Sequence, residues 1–331
     1  MGTEWQGSLV LCSSGRICPL DLCTRFFGQR APDLPLPGRP YIHDISRSGL
    51  VLLTADKARI SLTALGPGET RERSLSWFDW SLLADMSDDG KTIAFSETGE
   101  AVGANYGMFL RKTDGSAAVR LGDGGFGALS PDGQWVLAAD GSPAKLVLLP
   151  TGVGQPRQLT DNKTEHFSWG WLPDSKSVLF STAEPGRGPR TFMLAVEGGT
   201  PHPLTPEGVS GALVTPDGKY LLAVDAKRER WLYPLAGGEP QKPNFALGAD
   251  DIAVRFLGDG KGLLVRTLGV PIKITRIDVA TGKREPWKEI MPADPAGVQS
   301  IPVVKFSADG KSYAYSTGRI LSDLYVVDGL R

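Results

Sequence analysis

Ser130-Pro131-Asp132-Gly133, followed at once by Gln134-Trp135-Val136-Leu137-Ala138, is the stretch of sequence that decides the fold. Proline holds φ at about −65° in the second position of a tight turn, aspartate can hydrogen-bond its own local backbone, and glycine accepts a positive φ. The residues after the turn are aromatic, β-branched and aliphatic, which is typical of a strand. The stretch therefore predicts the tip of a β-hairpin.

Related turns recur down the chain, and the spacings between their fourth positions are 41, 43, 42, 43, 42 and 50 residues. The seven copies are Ser46-Arg47-Ser48-Gly49, Ser87-Asp88-Asp89-Gly90, Ser130-Pro131-Asp132-Gly133, Leu172-Pro173-Asp174-Ser175, Thr215-Pro216-Asp217-Gly218, Leu257-Gly258-Asp259-Gly260 and Ser307-Ala308-Asp309-Gly310. A third strand follows each hairpin, and most third strands lead through a glycine-bearing turn to a more polar fourth strand. Four antiparallel strands in each period are typical of a propeller blade.

Seven turns predict an all-β chain folded as a β-propeller of seven four-stranded blades, within a range of six to eight. The last copy ends after its third predicted strand, residues 324–327, so closure of the ring needs one strand from the N-terminal side. Residues 7–36 are the candidates for that strand. We therefore expect an irregular leader, residues 1–38, as the source of the closing strand, and a propeller over residues 39–331.

Composition and charge exclude several classes of function. The formal net charge is −1, with 36 basic and 37 acidic residues interspersed, so no basic stripe is available for a nucleic acid. No apolar run is long enough for a transmembrane helix, and the N-terminus does not resemble a secretory signal. Cys12, Cys18 and Cys23 match no metal or disulfide pattern. We expect a cytoplasmic monomer without a metal or cofactor.

The Ser-Pro-Asp-Gly-Lys hairpins, the Gly-Gly turns and the Leu-Thr strand endings resemble the TolB-like, WD-repeat-like (PD40-type) propellers of bacteria over residues 39–331. Residues 75–91 with 110–115, and residues 313–327, resemble more narrowly the C-terminal propeller region of bacterial eukaryotic-like serine/threonine protein kinases. This resemblance implies a sensor or interaction module, which would be extracytoplasmic in a membrane-anchored kinase. The chain itself has no kinase glycine loop, His-Arg-Asp loop or Asp-Phe-Gly motif.

Candidate binding residues lie on predicted first strands or just before them, near one mouth of the central channel. Histidines and carboxylates there could serve acid–base chemistry, and aromatic side chains could anchor a ligand. The ordinary alternatives are hydrogen-bonded structural histidines and tryptophans that fill the wedges between blades. The candidates are His43, Asp44, Trp77, Trp80, Asp85, Glu165, His166, Trp169 and Trp171.

These observations favour a non-catalytic propeller that binds a protein, a peptide or a small ligand at its central channel. The first alternative is a propeller lyase or hydrolase, which predicts polar residues with perturbed pKa values converging at the channel. The second is the propeller half of a prolyl-oligopeptidase-like peptidase. The sequence has no Gly-x-Ser-x-Gly nucleophile motif, which weighs against the peptidase.

Overall fold

The structure, a computed structural model, describes residues 39–99, 102–161, 166–183 and 186–327. Every regular element in these ranges is a β-strand, which confirms the predicted all-β class. No helix within them is long and apolar enough to cross a membrane.

The strands are short and closely spaced, as the frequent turns require. Their bounds are β1 (Arg39–Ile45), β2 (Val51–Leu65), β3 (Arg73–Ser74), β4 (Leu82–Met86), β5 (Thr92–Gly99), β6 (Gly103–Lys112), β7 (Val119–Asp123), β8 (Gly125–Leu129), β9 (Trp135–Asp140), β10 (Lys145–Pro150), β11 (Arg157–Gln158), β12 (His166–Trp171), β13 (Ser177–Thr182), β14 (Arg190–Ala195), β15 (His202–Pro203), β16 (Ser210–Val214), β17 (Tyr220–Val224), β18 (Arg230–Pro234), β19 (Ile252–Phe256), β20 (Gly262–Arg266), β21 (Ile272–Asp278), β22 (Arg284–Ile290), β23 (Val298–Phe306) and β24 (Tyr313–Val327).

The chain divides into two compact units, and the larger, Ile60–Gly318, holds the propeller. Five of its sheets follow chain order: β4-β5-β6-β7, β8-β9-β10-β11, β12-β13-β14-β15, β16-β17-β18 and β19-β20-β21-β22. The first strands of these sheets contact one another in the cyclic order β4, β8, β12, β16, β19, β23 and back to β4. Within the described residues, the inner strands of the larger unit therefore close a ring of six blades.

The blade that closes the ring combines strands from both ends of the larger unit. Its strands, each hydrogen-bonded to the next, are β23, β24, β2 and β3. Residues 60–65 and 73–74 thus supply two closing strands, where we expected one strand from residues 7–36. Residues 1–38 lie outside the described residues, so their role stays a prediction.

The prediction of seven blades is not confirmed, because the described residues form six sheets. The first of the seven turns joins β1 to β2 outside the larger unit, so the larger unit contains six of the turns. The separate third strand expected at residues 324–327 is also absent. Residues 313–327 run as one strand, β24, because no tight-turn sequence of the repeat type interrupts them.

The smaller unit takes in the described residues 39–59 and 319–327. Its β1 pairs antiparallel with the beginning of β2, with a bulge between Ile42 and Asp44. Lys57 lies 3.5 Å from Asp323 in an exposed ion pair.

The turns have the predicted conformation. In the Ser130 turn, the hydroxyl of Ser130 donates to Asp132 Oδ1 at 2.6 Å, and the same oxygen accepts the Gln134 N–H at 3.0 Å. Ser175, the one non-glycine at the fourth position, also has a positive φ, of 59°. The predicted turn glycines all have φ between 68° and 89°: Gly49, Gly90, Gly133, Gly218, Gly260 and Gly310.

The core consists of apolar clusters shared by neighbouring blades. One cluster joins Met108 of one blade to Val136 and Leu149 of the next. Burying an aliphatic side chain of this size stabilises the fold by about 1.5–3 kcal/mol relative to leaving it exposed. The packed wedges hold the inner strands in fixed positions, and the site depends on this.

Candidate functional site

A cavity of about 370 Å³ lies where the six inner strands of the ring reach their tight turns. One residue from each blade lines it at the same register, five positions before the fourth residue of the turn. Because the blades are repeats, the ring geometry brings these six positions together around one space. The six are Asp85, Ala128, Gly170, Leu213, Arg255 and Lys305.

Three consecutive blades contribute a charged arc to this ring. Lys305 Nζ lies 3.4 Å from Asp85 Oδ1, and Asp85 Oδ2 accepts the Leu129 N–H at 3.0 Å. Both side chains are largely shielded from solvent, with exposed fractions of 35% for Lys305 and 20% for Asp85. The pair is therefore more than a screened surface contact.

Arg255, the third member of the arc, fastens three blades together. Its guanidinium donates to the Phe306 carbonyl at 2.6 Å, to Asp88 Oδ1 at 2.6 Å and to the Phe256 carbonyl at 3.3 Å. A guanidinium offers donors in a fixed fork, and here each of its three nitrogens has a partner. Arg255 therefore shapes the wall.

The opposite arc is small and apolar. Ala128, Gly170 and Leu213 occupy the ring positions there, and Trp169 lines the same wall. The indole N–H of Trp171 donates to the Ala128 carbonyl at 2.9 Å, which fixes that ring against the neighbouring blade. The cavity thus presents charged groups on one side and an apolar surface on the other.

The structure brings together three of the residues nominated from the sequence: Asp85, Trp169 and Trp171. Trp77 and Trp80 precede β4 and are not among the cavity-lining residues; the ring of Trp77 is partly exposed and carries the Arg111 guanidinium 5.2 Å from its centroid.

The nominated histidines lie elsewhere. His43 Nε2 and the Thr54 hydroxyl are 3.0 Å apart within the β1–β2 hairpin, and Asp44 Oδ1 accepts the adjacent Ile45 N–H. The strand that carries both, β1, is not one of the six inner strands.

His166 begins an inner strand but lines a second cavity of about 310 Å³. Its Nε2 lies 3.0 Å from the Thr160 hydroxyl, and its ring packs edge-on against Phe180. Glu165, nominated beside it, falls outside the described residues. The binding roles of all the nominated residues stay predictions.

Sequence reasoning missed Arg255, Lys305 and Asp88. The signal was available, because Arg255 and Lys305 occupy the same place before their turns as Asp85 does before its own. Aligning the repeats on the turn would have collected all six ring positions.

A buried acid with a raised pKa does occur in the larger unit, away from the cavity. Glu97 on β5 is fully buried and accepts hydrogen bonds from the Ser81 hydroxyl and from the Phe78 N–H. Burial raises the pKa of its carboxyl. Among the described residues no group of three or more His, Cys, Asp or Glu is placed to hold a metal ion.

Comparison with known proteins finds no matching family model and no matching curated protein sequence. Solved structures do match. A protein described as a TolB of Agrobacterium tumefaciens is 17% identical with a TM-score of 0.57, over 79% of this chain and 99% of that one. TolB of Acinetobacter baumannii is 16% identical with a TM-score of 0.53, over 72% and 67%.

An oligogalacturonate lyase of Vibrio parahaemolyticus is 12% identical with a TM-score of 0.53, over 78% of each chain. At these identities the likeness extends to the fold alone, and it shows no kinase relationship. Together with the closed ring of antiparallel sheets, it establishes that this chain has the fold of a TolB-like β-propeller.

Proposed function

We propose that this propeller is a non-catalytic binding module whose ligand, a peptide, a protein segment or a small molecule, enters the central cavity. The observation that carries the proposal is a cavity of about 370 Å³ with one charged and one apolar wall. Preformed concave sites of this size, mostly apolar with a few placed polar groups, are typical of ligand-binding sites. A rigid core that presents loop residues at its mouth suits recognition.

Binding is favoured over catalysis by the way the cavity carboxylates are engaged. Asp85 accepts a backbone N–H and pairs with Lys305, and Asp88 pairs with Arg255. A general acid or base must exchange a proton with substrate, and these groups are held in structural contacts between blades. The enzymatic alternatives stay predictions, since a lyase of the same fold indicates architecture and not chemistry.

A phage-displayed library of random peptides tests the peptide form of the proposal. Leu213→Trp places a bulky ring at one of the six positions that line the cavity, and Leu268→Trp adds the same ring at an exposed loop position as the matched control. Selected peptides should bind the wild type and Leu268→Trp equally and bind Leu213→Trp at least tenfold more weakly. Equal binding to all three proteins would contradict the proposal. Thermal melts check that each variant is folded.

The resemblance of residues 75–91, 110–115 and 313–327 to kinase-linked propellers supports a narrower proposal. In this form the propeller is the sensing or docking part of a serine/threonine kinase. The DNA upstream of the Met1 codon then encodes a kinase domain on the same strand. An unrelated neighbouring gene there would count against the kinase link and leave the binding proposal intact.

A further inference from the structure

We propose that the ligand of the central cavity carries a carboxylate, which Lys305 binds, joined to an apolar body that packs on Trp169. This inference rests on the proposed binding function and names the chemistry of the ligand. Lys305 and Trp169 line the same cavity. In the cyclic order of inner strands, β23 and β12 are three places apart in a ring of six, so the two residues lie on opposite walls.

Lys305 is the less tightly paired of the two cations that line the cavity. An ammonium group has three N–H bonds, and its one carboxylate partner among the described residues, Asp85, lies 3.4 Å away. Arg255, by contrast, donates to two backbone carbonyls and to Asp88 Oδ1, and this carboxylate contact of 2.6 Å is much closer than that of Lys305. An incoming anion therefore competes with a weaker carboxylate contact at Lys305 than at Arg255.

The carboxylates of the arc offer less to an incoming cation. Both oxygens of Asp85 are engaged, one by the Leu129 N–H and one by Lys305. Asp88 belongs to the turn at the rim and its side chain is 58% exposed, so water screens its charge. The shielded part of the arc thus favours an anionic group, with Asp85 as its competitor for Lys305.

The opposite wall suits a flat apolar group. Gly170 contributes no side chain to this wall, and a Cβ there would lie 2.9 Å from the Ala212 carbonyl oxygen. Ala128 adds only a methyl group beside it. Aromatic and aliphatic bodies pack well on an indole face. A free small acid and an acidic side chain next to an apolar residue of a peptide share this chemistry.

Two matched pairs of probes test the carboxylate and separate its sources. The free acid 4-phenylbutyrate is compared with 4-phenylbutyramide, and N-acetyl-Phe-Glu-amide with N-acetyl-Phe-Gln-amide, by saturation-transfer NMR titration. In at least one pair the acid should bind at least tenfold more tightly than its amide. The pair that shows the preference identifies the source.

Variants assign the preference to Lys305. Lys305→Met should abolish it, while Lys311→Met, an exposed lysine in the adjoining turn, should leave it unchanged. Asp85→Asn removes the competing anion and keeps an oxygen for the Leu129 N–H, so the acid should bind this variant several-fold more tightly. If Lys305→Met does not fold, the affinity of Asp85→Asn for the acid still tests the proposal.

Equal binding of acid and amide in both pairs, weaker binding of the acid to Asp85→Asn, or no binding of any probe would overturn the carboxylate proposal. None of these results decides the binding function itself. The comparison of Leu213→Trp with Leu268→Trp decides that separately, because it does not depend on the charge of the ligand.

Discussion

The carboxylate of Glu72 accepts a hydrogen bond from the hydroxyl of Tyr313 at 2.6 Å. Its other oxygen accepts one from Tyr315 at 2.7 Å. Glu72 immediately precedes β3, and the two tyrosines begin β24, so the contact joins segments 241 and 243 residues apart in the blade that closes the ring. The Lys288 ammonium lies 4.6 Å from the centroid of the Tyr313 ring. Through these two hydrogen bonds, Glu72 links the segment before β3 to β24 in that blade.

Glu72→Gln should destabilise the propeller by about 1–3 kcal/mol, because it replaces two charge-assisted hydrogen bonds with weaker ones at partly buried hydroxyls. Urea unfolding followed by tryptophan fluorescence measures the change. Glu239→Gln, at an exposed carboxylate in the Gly237-Gly238 turn, is the control and should have no measurable effect. An equal urea midpoint for all three proteins would show that the hydrogen bonds of Glu72 contribute nothing to stability.

The same blade should lose stability in alkali. Burial, and next the hydrogen bond to Glu72, raise the pKa of both Tyr313 and Tyr315 above the usual tyrosine value. Stability linked to a raised pKa is present below the unfolded pKa of about 10 and is lost as the pH rises beyond it. Absorbance at 295 nm should show these two of the seven tyrosines ionising only with unfolding. Their ionisation in the folded protein near pH 10 would contradict the assignment.

Glu97 should affect stability with a pH dependence of its own. Its pKa is raised, chiefly by burial, so its contribution is present below the usual glutamate pKa of about 4.3 and is lost as the pH rises through the folded value. Glu97→Gln should therefore be at least as stable as the wild type at pH 7 and show less decline between pH 4 and 7. Glu97→Ala should lose about 1–3 kcal/mol, since the Phe78 N–H is left without its acceptor. A Glu97→Gln protein as unstable as Glu97→Ala would contradict this account.

Asp309 should give stability a pH dependence opposite in sign to that of Glu97. The pKa of this turn carboxylate is lowered, chiefly by the hydrogen bond that it accepts from the Ser307 hydroxyl. A lowered pKa contributes stability above the unfolded value of about 3.9, and that stability is lost as the pH falls through the folded one. Asp309→Asn should cost about 1 kcal/mol at pH 7 and less at pH 2.5. Chemical denaturation at the two pH values measures the difference, and an unchanged cost at pH 2.5 would refute the linkage.

Two turn glycines with the same φ of 71° form a matched pair. At Gly133 an added Cβ meets nothing within 4 Å, whereas at Gly90 it would lie 2.6 Å from the Ser312 Cβ. Gly133→Ala should cost about 1–2 kcal/mol for the left-handed backbone alone. Gly90→Ala should cost clearly more, because adjacent turns must move apart. Equal melting temperatures for the two variants would show that the adjacent turns move apart without a measurable loss of stability.

The sequence predicted the hairpins because each turn is a local event: Pro131, Asp132 and Gly133 act on their own backbone. The number of blades depends instead on which distant strands pair, and no local pattern records that the end of β2 lies beside β24. The site divides in the same way. Asp85 and Trp169 stand out in the sequence as individual polar or aromatic residues. Lys305 does not, because its contact with Asp85 forms only when the ring brings the two blades together.

The closing blade also sets the timing of folding. Its inner pair of strands, β23 and the first part of β24, is the last part of the larger unit to be synthesised, while β2 and β3 are made first. On the ribosome the early strands must wait for partners more than two hundred residues away, and such nonlocal pairing is slow. During that interval β2 offers an open edge to other chains. Nascent-chain aggregation should therefore fall sharply once the codon for Gly318 has been translated and the tunnel cleared.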